Sequence, residues 1–246
     1  SLNLLTLKDF RKRKANIKKL TQLGRRAFLV DPLTKDPEHV IVGSYPKGQR
    51  SVTHYKFNIN TNRKYQITRE SENRKNIRFD GDAHPYLAFG YDGSINSQLT
   101  YYRPKGTDKW SVIDARNRSD FESFTVAGYD PLDTTKLLVL AHNGRNTQGL
   151  WSFDPQENEF TELLYGRSDG DVVAARMHSN SYTEPDLITG VAFYDGRQRK
   201  FEWFDGQEKA IYEQLESLIP FADRFRIVDR SRDGNTMIIE NSGPRD

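Results

Sequence analysis

Short apolar runs, rich in β-branched and aromatic residues, recur along the chain between clusters of Asp, Asn, Gly and Pro. That pattern predicts strands joined by tight turns, and hence an all-β fold. The runs Val40-Ile41-Val42, Tyr86-Leu87-Ala88-Phe89, Leu137-Leu138-Val139-Leu140, Ile188-Thr189-Gly190-Val191 and Met237-Ile238-Ile239 are separated by 46, 51, 51 and 49 residues. Each follows another short strand: Ala27–Val30, Ile77–Phe79, Phe124–Ala127, Val172–Ala175 and Phe225–Val228. An aromatic residue before a polar turn recurs at Phe10, Phe57, Tyr102, Phe153 and Phe204, with separations of 47, 45, 51 and 51. The turns carry Asn, Asp, Gly and Pro, which tolerate or fix the backbone angles that hairpins need. After them come outer strands at Tyr65–Thr68, Trp110–Ile113 and Phe160–Leu164.

A period near 50 residues carrying about four strands is the mark of a β-propeller. The expected organisation is a single partial propeller over residues 1–246, with about five blades of four-stranded antiparallel sheet. Its repeats lie near 1–22 (a half blade), 23–70, 71–120, 121–168, 169–222 and 223–246 (a half blade). One repeat departs from the rule. Residues Glu208–Ile219 read as a helix, since Ile211, Leu215, Leu218 and Ile219 recur at helical spacing and Pro220 stops it. The expected role of that helix is to shield the outer edge of the fourth blade, with partner docking as the alternative.

Phe10 aligns with an outer hairpin and residues 16–21 with an outermost strand, whereas Phe225–Val228 and Met237–Ile239 are two inner strands. The chain thus reads as a piece of a longer protein, cut within a blade at both ends. The two half-blades are complementary. They are expected to pair, with residues 4–20 closing a composite blade or swapping strands between two chains in an edge-paired dimer.

Composition narrows the function classes. Of 246 residues, 35% are hydrophobic, 29% charged and 12% aromatic, which is polar but not the composition of a disordered chain. No apolar run approaches the roughly 18 residues that cross a bilayer, and no signal peptide opens the chain. Cysteine is absent, which excludes disulfides, thiolate metal sites and a thiol nucleophile. It suits a cytoplasmic location, with periplasmic or secreted locations open because the native N-terminus reads as missing. The net charge of +3 is local. Residues 1–26 hold nine cations and one anion, so the remainder is mildly acidic. A nucleic-acid face spreads its cations and interleaves aromatics, so no nucleic-acid partner is expected, and no membrane partner either.

Candidate chemistry is sparse. Gly166-Arg167-Ser168-Asp169-Gly170 matches the G-x-S-x-G nucleophile elbow, but a predicted inner strand rather than a helix follows it. Only His178 lies downstream, so an inter-blade turn is expected instead. His39, His54, His84, His142 and His178 fall in different repeats without metal-ligand spacing. Arg11-Lys12-Arg13-Lys14 reads as a solvated hairpin turn. Asp80, Asp82, Asp92, Asp130 and Asp195 are turn formers. They become a glycosidase pair only if the fold brings two within about 5–9.5 Å. No phosphate loop or dinucleotide fingerprint is present. No catalytic, cofactor-binding or metal-binding residue is therefore assigned.

Asp36-Pro37-Glu38-His39-Val40-Ile41-Val42, followed by Tyr55-Lys56-Phe57-Asn58 through Thr61, resembles a blade pattern of the prolyl oligopeptidase family of serine peptidases, in its acylaminoacyl-peptidase-like branch. The stretch with Val191-Ala192-Phe193-Tyr194, Trp203-Phe204-Asp205, the 208–219 helix and Arg230-Ser231-Arg232-Asp233-Gly234 is similar to the segment before the catalytic domain there. The resemblance spans roughly residues 25–246 and rests on dispersed motifs. It implies a parent in which a seven-bladed propeller caps an α/β-hydrolase domain carrying a Ser-Asp-His triad, admitting short peptides and excluding folded proteins. On that reading the present residues are non-catalytic, and a blade or more precedes them. Their partners are the parent's hydrolase domain and its peptide substrates. The alternatives are an autonomous interaction scaffold or a five-bladed glycoside hydrolase.

Overall fold

A computed structural model describes residues 26–117, 124–184, 186–196, 198–220 and 225–242. The chain forms two compact units, Ser1–Arg118 and Ser119–Asp246. In the first unit, β1 (Ala27–Asp31), β2 (His39–Ser44), β3 (Thr53–Asn58) and β4 (Lys64–Arg69) form one antiparallel sheet in chain order. The strands β5 (Lys75–Phe79), β6 (Pro85–Asp92), β7 (Ser97–Tyr102) and β8 (Ser111–Asn117) form a second.

The second unit opens with a third such sheet: β9 (Phe124–Tyr129), β10 (Leu137–Ala141), β11 (Gly149–Asp154) and β12 (Glu159–Tyr165). A three-stranded sheet follows, of β13 (Val172–Met177), β14 (Ile188–Asp195) and β15 (Gln198–Trp203), and then helix α1 (Gly206–Leu218). The hairpin β16 (Phe225–Arg230) and β17 (Met237–Asn241) completes it. The fold is all-β and built of propeller blades, each an up-and-down meander of consecutive strands. The half-blade expected over residues 1–22, and its pairing, lie outside the described residues.

Burial explains which runs are continuously apolar. In β10 all five residues are buried, and in β14 the first six are. A second strand is covered on both faces, so both of its alternating side-chain sets must be apolar. Ile41 of β2 packs into a core with Leu33, Ile77, Phe79 and Ala88, between the first two sheets. Its neighbour Val42 points to the opposite face and packs on Phe57. In the second unit Leu138, Leu140 and Leu150 meet Val172, Ile188 and Val191 in the same manner. First and fourth strands keep exposed positions, so their sequence signal is weaker.

Helix α1 stands where the fourth blade would carry a fourth strand, as its periodicity predicts, and it begins two residues earlier. Asp205 is the reason. Its side chain accepts from the N–H groups of Gln207 and Glu208 and caps the helix at Gly206. The expected shielding is only partial. Five of the six β15 residues are exposed, and the helix reaches the sheet at Trp203, whose ring lies 4.8 Å from that of Tyr212. Leu218, expected on the apolar stripe, is 67% exposed.

Candidate functional site

Polar side chains gather where first strands turn into second strands. Asp31, Asp80, Asp130 and Asn180 each accept, through Oδ1, the backbone N–H two residues on, at 2.7, 3.0, 2.9 and 3.0 Å. Such Asx turns let a short side chain replace a missing backbone partner. Ser231 holds the corresponding place in the last hairpin, where its Oγ accepts from the Thr236 N–H at 3.0 Å. The positions 31, 80, 130, 180 and 231 repeat every 49–51 residues. That period lies open in the sequence but is carried by polar residues, which a search for apolar runs passes over.

In the first blade the turn is tied across the sheet. Lys56 Nζ lies 2.9 Å from Asp36 Oδ2, and His39 Nδ1 lies 3.0 Å from Asp36 Oδ1. Asn58 Nδ2 meets His39 Nε2 at 3.2 Å, while Asn58 Oδ1 accepts from the N–H groups of Asn60 and Thr61. The Asp36 carboxyl is held well below its ordinary range. Burial opposes this, but hydrogen bonds from Lys56, His39 and the Glu38 N–H outweigh it. In the second blade Lys105 Nζ bridges Asp80 Oδ2 and Asp82 Oδ2 at 3.1 and 3.0 Å.

Among the described residues of the second unit the most buried charge is Glu208, in the first turn of α1, whose side chain is 2% exposed. Its Oε2 accepts from the Ser179 N–H at 2.9 Å, and its Oε1 from Ser179 Oγ at 2.8 Å. His178 Nε2 and an Arg230 Nη lie 3.5 and 3.6 Å from Oε1. The same Nη reaches Ser179 Oγ at 3.2 Å, while Arg230 Nε donates to the Gly234 carbonyl. Asn180 N–H donates to His178 Nδ1 at 3.1 Å, and the ring's Nε2 faces Glu208. Serine, histidine and glutamate thus meet, but not in relay order. The Ser179 hydroxyl is spent on the carboxylate rather than on the imidazole, so the serine–histidine bond of a relay is not made. The cluster joins the β13–β14 loop, α1 and the β16–β17 hairpin, and its chemistry is that of a lock.

Arg176 supplies a second tie to the helix. Its guanidinium lies 4.1, 4.6 and 4.3 Å from the ring centres of Phe201, Trp203 and Tyr212. Burial lowers its pKa.

The residues singled out by sequence fall as follows. Ser168 lies in an irregular segment between β12 and β13, and a strand follows it instead of the helix that an elbow requires. His178 stands beyond the other end of β13, a six-residue strand about 20 Å long. Asp80 and Asp82 share one turn with Lys105, whereas Asp92 stands at the opposite end of β6. Asp130 accepts from Ser152 Oγ at 3.0 Å, and Asp195 pairs with Lys200 in the β14–β15 turn. The histidines are dispersed: His84 Nε2 meets the Arg103 carbonyl, and His54 packs 5.2 Å from the Phe79 ring. Among the described residues no cluster of three metal-ligating side chains forms, and no helix is long and apolar enough to cross a membrane. Arg11–Lys14 lies outside the described residues.

No protein-family model matches the chain, and no curated protein does. Four solved chains match. One is an uncharacterized protein from Listeria monocytogenes, 13% identical, with a TM-score of 0.39 over 71% of this chain and 52% of that one. Another is the β-propeller domain of the Trilobed protease from Pyrococcus furiosus, 16% identical, with a TM-score of 0.38 over 72% and 57%. A third is TolB from Acinetobacter baumannii, 14% identical, with a TM-score of 0.35 over 69% and 41%. The chain therefore spans 41–57% of the length of these structures.

Proposed function

We propose that these residues are the non-catalytic propeller part of a prolyl-oligopeptidase-like serine peptidase. They admit and orient short peptides for an α/β-hydrolase domain of the same parent protein, and they keep folded proteins away from its serine. The contribution is exclusion and positioning rather than bond chemistry. One observation carries this reading. Three positions of the first-blade pattern, Asp36, Asn58 and Thr61, are linked through the His39 ring and the Thr61 N–H, and so tie two turns of the blade. They serve the blade's architecture, as a family signature spread over a propeller should.

The test has two parts. The chain alone should show no turnover of aminoacyl or acyl-aminoacyl anilides. Turnover abolished by Ser168→Ala would restore the elbow, and turnover that survives it would point to another site. The parent protein should cleave short peptides, and its gene should encode a downstream G-x-S-x-G-G followed by Asp and His. A parent gene without those motifs favours an autonomous interaction scaffold. That second reading draws on apolar side chains left exposed on innermost strands, such as Phe28, Leu29 and Val228.

A further inference from the structure

We propose that the groove between the first two blades binds a carboxylate joined to an aromatic or aliphatic body. The inference stands independently of the peptidase reading. The groove has a volume of about 500 Å³, within the range of small-molecule sites. One wall is aromatic. Phe28 on the innermost strand β1 and Tyr45 just after β2 are 41% and 39% exposed, with ring centres 6.2 Å apart. Phe28 packs over Gly43, its cross-strand partner, where an added Cβ would come within 2.6 Å of the ring. Glycine at position 43 leaves the room that this ring occupies.

The charges favour an anion. Arg50 and Lys75 line the groove, both are exposed, and neither has a partner among the described residues. Glu70 also lines it, but its oxygens accept the N–H groups of Val52 and Asn76, at 3.4 and 2.8 Å. His54 contributes to the floor, is 3% exposed, and has no hydrogen-bond partner at Nδ1. Burial pushes its imidazole down to about 4, so it adds no charge near neutral pH. Two unpaired cations beside exposed rings match a ligand with an anionic head and an apolar body.

Two sources share this chemistry: the free C-terminus of a peptide ending in an apolar residue, and a small aromatic acid. The test titrates the whole 246-residue chain with glycyl-phenylalanine, its C-terminal amide and 3-phenylpropionate, read by amide chemical shifts. Both acids should saturate with dissociation constants on the order of millimolar, the affinity that ligands of this size reach. The amide should bind about fivefold more weakly. Replacing Arg50 and Lys75 together by Gln should weaken the acids about five- to tenfold and leave the amide unchanged. Both positions are exposed, so an unchanged Tm verifies the fold. Phe28→Ser should weaken all three probes. Tighter binding of the dipeptide than of phenylpropionate assigns the site to peptide termini, and the reverse order assigns it to small acids. Equal affinity for acid and amide, an unaltered affinity in the double variant, or no saturation by either acid overturns the site.

Discussion

Blade three closes with a strand and blade four with a helix, although the same acidic turn residue begins both. Asp154 accepts from the N–H groups of Gln156 and Glu157, and Asp205 accepts from those of Gln207 and Glu208. The five residues from Asp154 are Asp-Pro-Gln-Glu-Asn, and those from Asp205 are Asp-Gly-Gln-Glu-Lys. The paths part at the fifth. Asn158 takes a left-handed conformation at φ 59°, as Asn62 does at 61° in blade one, and the chain doubles back. Lys209 continues the helical turn into Ala210-Ile211-Tyr212-Glu213-Gln214-Leu215, good helix formers with no β-branched run. An Asx turn and a helix N-cap are therefore the same hydrogen-bonding device, and the residues after it choose the outcome.

The divergence moves burial from one residue to another. Phe153, before the blade-three turn, is 1% exposed and packs on Phe124 and Phe160, whereas Phe204 is 48% exposed. Phe153→Ala should cost about 3–5 kcal/mol in chemical denaturation, the range for emptying a buried aromatic site. Phe204→Ala should cost about 1 kcal/mol or less. Equal losses would mean that the two aromatics play one role and that the comparison is false.

The carboxylates show the converse. Glu157 is exposed in its turn, whereas Glu208, at the same place after its own cap, is the buried centre of the Ser179–His178–Arg230 cluster. Glu208→Ala leaves Arg230, a half-buried cation, without its carboxylate and strips Ser179 of its acceptor. A loss of about 3 kcal/mol is expected. Glu157→Ala should stay within about 0.5 kcal/mol. A mild Glu208→Ala would show that α1 is held by Tyr212 and its ring neighbours Trp203 and Phe225 instead.

This contrast also marks what the chain discloses before folding. The second strands are legible because burial on both faces makes them continuously apolar, as Leu137–Ala141 illustrates. Helix α1 is legible from Ile211 and Leu215, yet its anchor is not. Glu208 reads like any solvated helix glutamate, and its partners Ser179 and Arg230 are 29 and 22 residues away. Only the fold assembles them. The groove is hidden for the same reason, since Phe28, Arg50 and Lys75 belong to two different repeats.

The caps themselves come next in size. Asp205→Ala removes two acceptor bonds from orphan N–H groups and should cost about 1 kcal/mol, with a loss of helical ellipticity. Asp154→Ala should destabilise without any change in helix signal. A matching ellipticity loss from both would contradict the division of labour between the two turns.

Exchanging the fifth residues tests that division most directly. Asn158→Lys forces a left-handed angle on a side chain that resists it, which costs about 1–2 kcal/mol. Lys209→Asn merely lowers helix propensity, by about 0.5 kcal/mol, and Cα chemical shifts should still report helix from Gly206. The asymmetry follows from what lies downstream. Blade three has a strand waiting at Glu159–Tyr165, whereas residues 210–218 have no alternating pattern to pair with β15. If Lys209→Asn instead melted the first helical turn, the fifth residue alone would decide between hairpin and helix. The downstream residues would then merely follow.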